Sequence, residues 1–112
     1  MTRSRAGAPS IIRGRIYGAE LGDLPEKYYL AVSNNQRNAR LDTFLAVRLT
    51  TTRKPPLPSI VQLSEVDAPW TGAISADDID KIYVDEVTRD YGALPPKTLR
   101  RVDDALRAAL AL

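Results

Sequence analysis

The sequence contains neither cysteine nor histidine. The first absence removes disulfides, a thiolate nucleophile and the usual Cys/His zinc sites. The second removes the side chain whose ordinary pKa lies near neutrality. A Ser-His-Asp triad is therefore excluded, and acid–base chemistry falls to carboxylates, Lys, Arg, Tyr or backbone. No apolar run approaches the roughly 18 residues that a membrane-spanning helix needs. Aromatic residues are sparse, with five Tyr, one Phe and one Trp, too few to require a generic RNA-binding barrel built on stacking. The N-terminal "MTRSRAGAPS" has charge but no apolar stretch, so residues 1–10 are expected to form a flexible arm rather than a signal peptide. Residues 11–112 then make one domain, expected in the cytoplasm with no membrane contact.

What is present is an ordinary globular mixture, 44% hydrophobic and 27% charged over 112 residues. A chain of this size buries roughly two-thirds of its unfolded surface and gains from a partner surface. The net charge is only +2, but it is unevenly spread. Residues 1–60 hold ten Lys and Arg against four acidic residues, a net +6, and the remainder nets −4. Such asymmetry is expected of a surface that attracts a polyanion, although the fold could also disperse it.

Along the chain, "IIRGRIYG" alternates with period two, setting Ile12 and Ile16 opposite Arg13, Arg15 and Tyr17. It reads as a half-buried strand with a basic, aromatic outer face. "YYLAVS" is continuously apolar, as in a strand covered on both faces. "NNQRNAR" then suggests a hairpin-like connection, because asparagines tolerate turn conformations. "TFLAVRLT" is the next strand, with Phe44, Ala46, Arg48 and Thr50 on one side. "KPPLPS" breaks the ladder before a short strand in "SIVQL". "SADDIDKI" fits a helix start, with Ser75 and Asp78 at capping-box spacing, and fits a strand equally. "PPKTLRRVDDALRAALAL" is an amphipathic helix, with Leu99, Val102, Leu106 and Leu110 in one stripe and Arg100–Asp104 and Asp103–Arg107 at i, i+4. These elements imply a small, mostly antiparallel β domain with a C-terminal helix, of SH3-like or OB-like type.

The segment "RLTTTRK" packs hydroxyls and cations at a strand end. β-branched residues suit an exposed edge without any further role; a phosphate-facing edge needs the same residue types.

Taken in order and spacing, "RGRIYGAELG", "YYLAVSNNQRN", "TFLAVRLTTTRK", "TGAISADDIDKI" and "GALPPKTLRRVDDALRAALAL" resemble the MazF/PemK toxins of type II toxin–antitoxin systems, in particular an actinobacterial branch. The resemblance runs from Arg13 to Leu112. It implies a twisted antiparallel sheet curled as an SH3-like barrel, and a homodimeric endoribonuclease that cuts single-stranded RNA without a metal or other cofactor. It also implies a MazE-like antitoxin whose disordered tail covers the RNA groove. Catalysis in the family relies on a threonine at the end of the third strand, matched by Thr50, and commonly on an arginine opening the second strand, where this sequence has Lys27 followed by Tyr28. By residue type, Arg15 is a cationic neighbour of this site, Thr51, Thr52, Arg53 and Lys54 are expected to cradle the strand, Asn34, Asn35 and Asn38 to contact bases and Tyr17 to stack on one, while Asp77 falls where the family has an acidic residue near the RNA groove. The expected products are a 2′,3′-cyclic phosphate and a 5′-hydroxyl. A non-catalytic CcdB-like toxin that binds a topoisomerase is the alternative of related fold, though it has no need of the Thr-Thr-Thr-Arg-Lys edge.

Overall fold

In the computed structural model, which describes residues 10–52 and 54–112, six strands and two α-helices follow one another as β1 (Arg15–Ala19), β2 (Lys27–Ala31), α1 (Asn35–Arg40), β3 (Thr43–Thr50), β4 (Ile60–Gln62), β5 (Ala73–Tyr83), β6 (Val87–Ala93) and α2 (Pro96–Leu110). Arg53 and residues 1–9 lie outside the described residues. The strands form a single sheet in the order β4-β5-β3-β2-β1-β6, with every neighbouring pair antiparallel. β4 and β6 stay at opposite edges, so the antiparallel sheet and C-terminal helix form as expected but the sheet does not close into a barrel.

Both faces of this sheet are buried. Ile16, Leu30, Val47, Leu49 and Ile74 pack with Val102 and Ala105 of α2. On the other face Tyr17, Tyr29, Phe44, Ala46, Ile82 and Val84 form a second cluster. Each large aliphatic side chain so buried contributes roughly 1.5–3 kcal/mol. The alternation of Ile16 and Tyr17 therefore separates two cores, not core from solvent. Tyr17 is fully buried, edge-on to Phe44 with ring centroids 5.6 Å apart. Its hydroxyl accepts from the Ile12 N–H at 2.8 Å and donates to the Ser10 carbonyl at 3.3 Å, and burial raises its pKa. A ring held this way has no face free for a nucleobase.

Two connections differ from expectation. "NNQRNAR" forms α1 rather than a hairpin turn, because the asparagine chemistry that favours turns also caps helices. Asn34 is the N-cap and accepts from the Arg37 N–H at 2.8 Å. Asn38 is buried, where its amide donates to the Ser33 carbonyl at 3.0 Å and its carbonyl oxygen accepts from the Ser33 hydroxyl at 2.6 Å. "SADDIDKI" lies within β5. Ser75, the cap candidate, is paired between Ile60 of β4 and Arg48 of β3. The β3 ladder jumps from Val47–Ile79 to Arg48–Ser75, so residues 76–78 fall out of register and form a bulge.

α2 is tied down at its first turn and at its middle. Its Thr98 hydroxyl donates to the buried Asp67 carboxylate, and Asp103 accepts from Arg13 at 2.7 Å. Asp103 thus reaches across to the segment before β1 instead of pairing along the helix with Arg107, which takes Asp104 at i, i+3.

Candidate active site

The ladder pairs Tyr29 of β2 with Arg48 of β3. Continuing that register by two residues brings Lys27 level with Thr50, and the two side chains share a sheet face with Arg48. Here the sheet opens into a cavity of about 390 Å³ lined by Glu26, Lys27, Tyr28, Arg48, Leu49, Thr50, Thr51, Thr52, Pro69, Trp70 and Thr71. Gly72 fixes the wall opposite Thr50. It has φ +90°, and a Cβ there would lie 2.2 Å from the Thr50 carbonyl oxygen, so a glycine is required for the 71–73 backbone to approach β3.

Within the cavity the polar groups are unequally engaged. The Thr50 hydroxyl accepts from the Thr52 N–H at 3.1 Å, which leaves its own proton available to a ligand oxygen. Arg48 holds a buried Nε that has no hydrogen-bond partner among the described residues. Glu26, in contrast, accepts from the hydroxyls of Thr88 and Tyr91. Desolvation raises the Tyr91 pKa and the Glu26 carboxylate adds to the effect. Tyr29, across from Arg48, also has a raised pKa, first from burial and then from Asp80, with Arg48 opposing. Tyr28, Trp70 and Tyr91 meet edge to face with centroids 5.1–5.5 Å apart; Tyr28 and Trp70 form one wall.

Of the residues expected at the site, Lys27, Thr50, Thr51 and Thr52 are brought together here. Lys54 lines a neighbouring hollow with Pro55, Pro56 and Gln62. The others lie elsewhere. Arg15 is at the far end of β1, about 13 Å along the strand from Ala19, the partner of Lys27, and is bound to Asp90 at 3.0 Å. Asn34 caps α1, and Asn35 accepts from the Arg13 N–H at 2.7 Å. Asp77 sits in the β5 bulge and accepts from the Ser59 hydroxyl at 2.6 Å. Arg53 lies outside the described residues. The sequence reading missed Arg48, Trp70 and Glu26. For Arg48 there was a signal, since period two already set it on the face of Thr50; Trp70 and Glu26 stand in loops whose approach only the fold reveals. Among the described residues no group of three or more His, Cys, Asp or Glu is placed to hold a metal ion, and no helix is long and apolar enough to cross a membrane.

Comparison with known proteins shows the family and the fold. Residues 12–110 match the family described as the PemK-like, MazF-like toxins of type II toxin–antitoxin systems. Endoribonuclease MazF4 of Mycobacterium tuberculosis is 40% identical over 101 residues, which cover 90% of this chain and 93% of the relative. A solved mycobacterial endoribonuclease in complex with its cognate antitoxin superposes with a TM-score of 0.83 at 39% identity, covering 91% of this chain and 96% of that one. A MazE–MazF structure from Deinococcus radiodurans, at 16% identity and a TM-score of 0.76 over 93% of this chain and 99% of that one, agrees in fold.

Proposed function

Because the chain belongs to the family of PemK-like, MazF-like toxins of type II toxin–antitoxin systems, we propose that the cavity between β2 and β3 is its RNA-cleaving centre. The protein is a toxin endoribonuclease neutralised by a cognate antitoxin, in keeping with its mycobacterial relatives. The observation that carries the site assignment is the placement of Lys27 and Thr50 on adjacent strands around one cavity.

RNA carries its own nucleophile. The 2′-hydroxyl loses its proton to water as the O2′–P bond forms. The P–O5′ bond then breaks, and the leaving 5′-oxygen is protonated from water. The products are a 2′,3′-cyclic phosphate and a 5′-hydroxyl. The protein holds the phosphate in line and stabilises the charge that accumulates on its oxygens. The Lys27 ammonium supplies positive charge, and the Thr50 hydroxyl donates to a non-bridging oxygen. Thr51, Thr52 and Lys54 follow the single strand out of the cavity. Arg15, Asn34, Asn35 and Asp77 are assigned no contact with the scissile nucleotide; any RNA they meet is a distal part of the strand. The protein acts in the cytoplasm as a homodimer, and the antitoxin tail competes with RNA for the groove. The match to endoribonucleases disfavours a topoisomerase-binding role.

Purified protein incubated with mixed single-stranded RNA in EDTA is expected to cleave it and leave cyclic phosphate ends. Loss of cleavage in EDTA with recovery in Mg²⁺ would overturn the mechanism. Light scattering is expected to give twice the 12.4 kDa chain mass, and a purely monomeric protein at micromolar concentration would remove the dimer.

A further inference from the structure

Four arginines of the fold are bound to an oxygen. Arg13 donates to the Val32 carbonyl and to Asp103, Arg15 to Asp90, Arg37 to the Thr43 carbonyl and Arg107 to Asp104. Arg48 is different. It stands in the middle of the sheet, between Tyr29 and Ser75, and its Nε is buried with no acceptor among the described residues. Removing a charged donor from water without replacing its acceptor is costly. The side chain lines the same cavity as Lys27 and Thr50, and lies on the face of Thr50, two residues along β3.

We infer that Arg48 is a catalytic residue whose guanidinium binds a non-bridging oxygen of the scissile phosphate and stabilises the phosphorane. The inference rests on the cavity being the RNA-cleaving centre. The assigned role is electrostatic only: Arg48 stays protonated throughout, and the bonds made and broken remain O2′–P and P–O5′. A planar guanidinium suits it because its donors can grip two oxygens at once. The neighbouring strands hold the arginine before RNA arrives, so little reorganisation is needed during the reaction. The RNA phosphate then adds an acceptor to a guanidinium whose Nε has none among the described residues.

The test uses a short RNA whose cut position has been mapped by sequencing 5′ ends, and the same RNA with a 2′-deoxy nucleotide at that position, which binds without being cleaved. Arg48→Gln is expected to slow single-turnover cleavage by about a hundred-fold, while affinity for the deoxy RNA falls by less than about ten-fold. Arg48→Ala is expected to regain at least about ten-fold in rate with free guanidinium and not with an equal concentration of NaCl. If the truncated variants fail to fold, Arg48→Lys decides alone, with an expected loss of about ten-fold. Cleavage by a folded variant within about three-fold of wild type, or rate and affinity falling in step, would overturn the inference. Wild-type protein that cuts no RNA would instead remove the reading on which it rests.

Discussion

The two ends of β3 are built for different purposes. Around Thr43, polar side chains are bound to the protein itself: Arg37 donates to the Thr43 carbonyl at 2.8 Å, Asn34 caps α1, and Asn38 and Ser33 satisfy one another in the interior. Around Thr50, seven residues along the same strand, the Arg48 Nε has no acceptor among the described residues and the Thr50 hydroxyl keeps its proton for a ligand. Hydroxyls and cations do not separate the two ends, since both are rich in them. They differ in whether the hydrogen-bonding capacity closes on itself. A closed network stabilises a fold, whereas an open one in a cavity favours a ligand that completes it.

Mutations sharpen this contrast by affecting activity at one end and stability at the other. The largest effect is expected from Thr50→Val and Lys27→Ala, each lowering single-turnover cleavage by about a hundred-fold or more, about 2.7 kcal/mol of transition-state stabilisation. Urea unfolding is expected to place both variants within about 0.5 kcal/mol of wild type; a stability loss matching the activity loss would erase the distinction. Asn38→Ala is the converse. It leaves the Ser33 carbonyl without its Asn38 donor, while the Ser33 hydroxyl keeps its bond to Leu45, and is expected to remove about 2 kcal/mol of stability, with cleavage by the remaining folded protein near normal. Asn34→Ala removes a helix cap and is expected to cost about 1 kcal/mol, measured by the same unfolding titration. Lys27→Arg should have the least effect. If the side chain supplies charge alone, cleavage stays within about three-fold of wild type across pH; a loss of about ten-fold would give Lys27 a proton-transfer role instead.

Much of this architecture was legible from pattern. Thr43–Thr50 forms with the expected boundaries because a strand alternating between two cores still has period two, and α2 forms with Val102 buried and Leu99 and Leu106 partly buried, although Leu110 at its end is exposed and Thr98 and Ala105 complete the buried side. Thr50 and Lys27 could be singled out by resemblance and by the chemistry of their types. What pattern could not show shares a cause: a residue's preference was visible and its partner in the fold was not. Asn34 and Asn35 look like recognition residues until α1 and the Arg13 backbone claim their oxygens. Arg15 looks like a free cation until β6 brings Asp90 beside it. Tyr17 looks like an outer aromatic until Phe44 covers it. Arg48 shows the reverse case, an ordinary strand cation whose buried Nε has no acceptor among the described residues.

Trp70 adds a practical consequence. It is the chain's single tryptophan, and it forms part of the cavity wall beside Tyr28 and Tyr91. Intrinsic fluorescence excited at the red edge of the absorption band therefore arises from one indole, with no background from elsewhere in the protein. Occupancy of the cavity, whether by an oligonucleotide or by an antitoxin peptide, changes the polarity around that indole and can be followed in real time without a label. Two tyrosines in edge contact also feed it by energy transfer, so the ratio of emission at two excitation wavelengths reports whether the aromatic wall holds its arrangement as the cavity fills.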